Sequence, residues 1–175
     1  MEPRGPTLKR PTWAIPADLR VDQKAVIQVR LLECQVEQFT HGRRLYGLTR
    51  LAEALVRQNE HRAALAATME GRKAQEQTGH RQWEAELRRL EGLALVGLNR
   101  PDEGQNALKE ALRIAQRQKT KSYELRAATS LARLWGERGR RAEARDLLAP
   151  IYYWFTEGFD TADLKEAKGL LDELT

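Results

Sequence analysis

Leu90-Glu-Gly92-Leu-Ala-Leu95-Val-Gly-Leu-Asn99-Arg-Pro101-Asp-Glu-Gly104-Gln-Asn-Ala-Leu108 is the stretch that decides the fold. A small residue, Gly92, is followed three positions later by a large apolar one, Leu95. Asn99 then supplies a residue type that tolerates the left-handed conformation ending a helix. Pro101 opens a second helical pattern at the position where a missing N–H costs nothing. Asp102 and Glu103 place negative charge in that first turn, as the helix dipole favours. Gly104 and Leu108 repeat the small and large alternation in the second helix.

The same columns recur on either side at a spacing of 40 residues. Ala52 and Ala132 match Gly92, Leu55 and Trp135 match Leu95, and Asn59 and Gly139 match Asn99. Ala64 and Ala144 match Gly104, and Thr68 and Leu148 match Leu108. Such a period marks a repeat architecture. Two antiparallel helices approach closely only where a small side chain faces the neighbour and a large one fills the space beside it. One hairpin cannot bury its apolar face alone, so successive hairpins are expected to stack.

Composition agrees with helix. Leu and Ala supply 48 of the 175 residues, whereas the β-branched Val and Ile supply only 10. The expected organisation is a proline-rich flexible arm over 1–20 (Pro3, Pro6, Pro11, Pro16) and an N-terminal helix of an incomplete repeat over 21–42. Three hairpins over 43–159 and a capping helix over 160–175 complete it. Leu164, Ala167, Leu171 and Leu174 form the apolar stripe of the cap. Ile27, Leu31 and Leu32 of the amino-terminal helix are expected to pack against the first full hairpin, and the incomplete repeat leaves an apolar edge open to a homodimer or to docking onto an absent partner domain.

These columns resemble the tetratricopeptide repeat (TPR), which places small residues at its eighth, twentieth and twenty-seventh positions. Here those are Ala52, Ala64 and Gly71, then Gly92, Gly104 and Ala111, then Ala132 and Ala144, with Ile151 departing at the last. The resemblance implies an all-α fold, a right-handed α-solenoid of TPR-like helical hairpins with a C-terminal capping helix. Residues 43–175, most strongly from 113 onward and above all in Lys121–Trp135, Gly139–Pro150 and Trp154–Lys168, are similar to the carboxyl-terminal repeat tails of large bacterial signalling ATPases. Those tails are joined to nucleotide cyclase or transcriptional-activator domains. No Gly-x-x-x-x-Gly-Lys-Ser/Thr loop is present, so the ATPase activity does not carry over. A truncated remnant of such an ATPase is one alternative reading.

No catalytic constellation is expected, and no cofactor. His41, His61 and His80 do not share helical metal-ligand spacing, and Cys34 has no Cys or His neighbour in sequence. No apolar run approaches the ~20 residues of a membrane span. The polar, proline-broken amino terminus lacks a signal-peptide core, and the lone cysteine fits a reducing compartment, so a cytoplasmic protein is expected. The aromatic run Tyr152-Tyr153-Trp154-Phe155 is expected to be filler between the last hairpin and the cap.

The function expected is protein–protein interaction without covalent chemistry. First helices line the concave face of this repeat type. Its outward positions are Tyr46, Thr49 and Glu53, then Glu86, Arg89 and Leu93, then Arg126, Thr129 and Arg133. Arg89, Arg126 and Arg133 are expected to make one end of the groove cationic and suited to a carboxylate-bearing peptide. The weaker alternative is nucleic-acid binding through Arg113–Arg145, which carries ten basic and three acidic residues.

Overall fold

The computed structural model describes residues 41–175. The proline-rich arm, the expected amino-terminal helix up to residue 40 with its apolar edge, and Cys34 lie outside the described residues. Seven helices follow one another: α1 (His41–Arg57), α2 (His61–Thr78), α3 (Glu84–Gly97), α4 (Pro101–Gln118), α5 (Lys121–Glu137), α6 (Arg141–Tyr152) and α7 (Ala162–Glu173). No strand occurs among the described residues. The protein is all-α.

Each helix packs on the next, and the odd-numbered helices also touch across them, α1 on α3, α3 on α5 and α5 on α7. The repeat is visible in backbone hydrogen bonds. Glu60 N–H donates to Leu55 C=O at 2.9 Å, Arg100 N–H to Leu95 C=O at 2.9 Å and Arg140 N–H to Trp135 C=O at 2.8 Å. Each bond closes a helix through a residue with positive φ: Asn59 at 60°, Asn99 at 59° and Gly139 at 76°. This is the six-to-one pattern that satisfies a terminal carbonyl. The turn residue types are therefore selected by the backbone they must adopt. Second helices start alike, since Ala64, Gly104 and Ala144 donate their N–H groups to Glu60, Arg100 and Arg140.

The small columns are buried. Ala52, Ala64, Ala111, Ala132 and Ala144 are fully inaccessible, as are Thr68, Leu108 and Leu148. Backbone comes close to backbone between α3 and α4. A Cβ on Gly104 would lie 2.8 Å from the Gly92 carbonyl oxygen, and one on Gly92 would lie 3.0 Å from the Gly104 oxygen. Only glycine at both positions lets these backbones meet. Ile151 is buried although it breaks the small column, and its apolar side chain joins the core that α6 shares with α4, α5 and α7.

The carboxyl-terminal cap begins one residue after Thr161, whose backbone is extended as a helix-preceding residue requires. Leu164, Ala167, Leu171 and Leu174 are buried against α5 and α6, with Leu170 added to them. The aromatic run behaves differently from the expectation of filler. Tyr152 is buried and Phe155 packs on the core, but Tyr153 is 74% and Trp154 57% exposed. The helix ends at Tyr152, so the residues after it leave the helical face that buries Leu148 and Ile151.

Candidate functional site

The positions expected to face a groove lie on the shared surface of α1, α3, α5 and α7. On each of the first three helices they fall at steps of three or four residues, which places them on one face. The structure gathers Glu53, Arg89, Leu93, Arg126, Thr129 and Arg133 around a single cleft of about 220 Å³. Val56, Arg57, Leu90, Ser130, Ala162, Asp163 and Glu166 complete its lining. Tyr46 lies outside it, half exposed, and Thr49 and Glu86 are buried.

At the floor is an ion network that joins three helices. Arg126 Nη2 donates to Glu53 Oε1 and stands against Glu86 Oε1, 2.9 Å from each. Glu86 also takes two bonds from Arg89, at 2.9 Å from Nε and 2.7 Å from Nη2. Arg89 Nη1 reaches Ser130 Oγ at 3.3 Å. Glu53 further accepts from Arg57 on its own helix at 2.8 Å. Burial weighs most against the Arg89 charge, but the hydrogen bonds and charge of Glu86, with Glu53 and Glu166 beyond, outweigh it, and its pKa stays above the usual arginine value. Thr49 and Thr129 turn their hydroxyls back to Leu45 and Leu125 carbonyls at 2.8 Å, which satisfies them within their own helices.

The cationic end expected from the sequence is thereby changed. Arg89 and Arg126 are already occupied by Glu86 and Glu53, and the two carboxylates and two guanidinium groups cancel. Arg133 and Arg57 keep accessible guanidinium groups at the rim. Arg133 Nη1 bonds Glu166 Oε1 of α7 at 2.8 Å, with both side chains about half exposed. Such an exposed pair contributes little to stability and exchanges readily. The sequence reading missed Glu166, Asp163 and Ser130. Asp163 and Glu166 read as water-facing charges of the cap, and only the packing of α7 on α5 brings them to the cleft.

The basic segment does not form an unpaired stripe. Arg113, Arg117, Lys121, Arg126, Arg133, Arg138 and Arg140 each pair with a carboxylate of this chain. Among the described residues no group of His, Cys, Asp and Glu is arranged to hold a metal ion, and no helix is long and apolar enough to cross a membrane. No family model, curated protein or solved structure matches the chain.

Proposed function

We propose that this protein is a non-enzymatic, cytoplasmic interaction module of the TPR-like right-handed α-solenoid type, with the α1–α3–α5–α7 face as its concave surface. The observation that carries this reading is the cleft itself. Leu93 and Val56 offer apolar surface beside a charge-balanced floor, and Arg57 and Arg133 stand at the rim. A peptide of a protein partner lays an apolar side chain against Leu93, and its carboxylate takes Arg133 from Glu166. Guanidinium and carboxylate then form the same forked hydrogen bonds with a different owner. The buried pairs below remain intact and hold the helices in register.

Panning a random peptide library against the full chain tests this. Enriched peptides are expected to carry an acidic residue beside an apolar one. They should bind the Leu93→Asp and Arg133→Glu variants at least roughly tenfold more weakly, as loss of a central anchor commonly gives. A Met69→Ser variant, altered on the exposed surface of α2, should bind them as the parent does. Equal binding to all three variants would overturn the assignment of the site.

A further inference from the structure

A second surface shares no residue with the charged cleft. Tyr46 of α1, Trp83 just before α3 and Tyr123 of α5 form a ladder of rings, with centroids 5.3 and 6.2 Å apart at tilts of 54° and 55°. Trp83 and Tyr123 border a shallow depression of about 550 Å³ together with Arg81, Gln82, Gln118 and Thr120. Tyr46 is half exposed at the end of the ladder. Two polar atoms at this place, Trp83 Nε1 and Gln118 Oε1, are buried without a hydrogen-bond partner. Burying a donor and an acceptor unpaired is costly. A ligand carbonyl that reached Trp83 Nε1 would relieve the donor's part of that cost.

A row of tilted aromatic rings beside an indole donor is the chemistry that receives polyproline segments. Prolines lie on the ring faces, and the carbonyls between them accept from the donor. The chain itself contains such a segment. Pro3 and Pro6 are three positions apart, so in a polyproline helix they would fall on one side about 9 Å apart, and Pro11 and Pro16 follow in sequence. The centroids of neighbouring rings are 5.3 and 6.2 Å apart, so a little more than one turn of that helix would cover the ladder at its greatest possible extent. The forty residues before His41 join the body at the start of α1, the helix that carries the first ring.

We propose that the Pro3–Pro16 segment of this chain is the ligand of the Tyr46–Trp83–Tyr123 ladder, as a self-ligand that competes with proline-rich partners. The test is photo-crosslinking of the full chain carrying Tyr46→p-benzoylphenylalanine, with the products mapped by mass spectrometry. Crosslinks are expected within residues 1–20, whether to the same chain or, in mixtures of isotopically light and heavy protein, to a second copy. A Pro3→Ala, Pro6→Ala version should lower their yield roughly fivefold or more, the population change that a modest loss of binding energy brings. The same photoreactive residue at Met69, exposed on α2, should give none. Crosslinks only to residues 21–40 or to the body, an undiminished yield from the proline variant, or equal yield from position 69 would each overturn the proposal.

Discussion

Glu53 and Arg126 are 73 residues apart in sequence and 2.9 Å apart in space, one on α1 and the other on α5. Arg126 also stands 2.9 Å from Glu86 on α3. One guanidinium thus ties α1, α3 and α5 together. Replacing it by methionine keeps the apolar stem and removes the charge. Glu53 retains Arg57, and Glu86 retains Arg89, so neither carboxylate is left wholly unpaired. The expected loss is about 1–3 kcal/mol in urea unfolding. A double-mutant cycle with Glu53→Gln sharpens the test, because residues in one network are coupled by ~0.5 kcal/mol or more. Strict additivity would show that the contact contributes nothing of its own.

The repeat was readable because it rests on the size of single residues. Ala52, Gly92 and Ala132 must be small for the helices to approach, and Asn59, Asn99 and Gly139 must accept positive φ to end them. Both constraints are local, so both leave a mark at fixed spacing. The ion network leaves no such mark. Glu86 and Arg89, three residues apart on an expected first helix, look like any solvated pair, and they are buried because α1 and α5 close over them. Their partners Arg126 and Ser130 come from α5, and the sequence does not say that these side chains meet. Tyr153 and Trp154 read as core for a related reason. An apolar run specifies burial only if its backbone continues on the buried face, and α6 stops at Tyr152.

Gly104 supports a prediction of opposite cause. Its missing Cβ faces Val96 Cγ2 at 2.6 Å and the Gly92 carbonyl oxygen at 2.8 Å. A valine methyl can rotate away, but a backbone oxygen in a helix cannot. Gly104→Ala gains helix propensity of up to ~1 kcal/mol and is still expected to destabilise the fold by about 1–3 kcal/mol through overpacking. Thermal unfolding of the variant checks this. A stabilised Gly104→Ala protein would mean that α3 and α4 do not approach as described.

Acid should act through pairs that sit on helix surfaces. Hydrogen bonds from Arg100, Arg113 and Arg140 lower the carboxyl pKa values of Glu103, Glu110 and Glu143. A folded value below the unfolded one means that the folded state binds fewer protons over that range. The contribution is present above the ordinary glutamate value of about 4.3. It is lost as pH falls below that value and through the lowered one. All three pairs are exposed, so salt weakens the effect. Urea midpoints followed from neutral pH into acid should fall more steeply for the parent than for the triple Glu103→Gln, Glu110→Gln, Glu143→Gln variant. Identical slopes at low salt would remove these pairs from the acid response.

Gly169 and Lys119 invert the logic of Gly104. Gly169 lies within α7, and a Cβ there would meet no heavy atom within 4 Å. Nothing in the packing requires glycine, while its backbone freedom in the unfolded chain opposes the helix. Gly169→Ala should stabilise by about 0.5–1 kcal/mol. Lys119 ends α4 with φ of 54°, where a side chain is strained. Its backbone N–H is engaged at that end, so Lys119→Gly keeps the bond and relieves the strain, with a gain of up to ~1 kcal/mol. The two changes sit far apart in the helix order and share no partner, so their effects should add to within about 0.5 kcal/mol. A loss of stability on Gly169→Ala would indicate that another surface covers that side of α7, since only a close neighbour absent from the described residues can penalise a methyl group there.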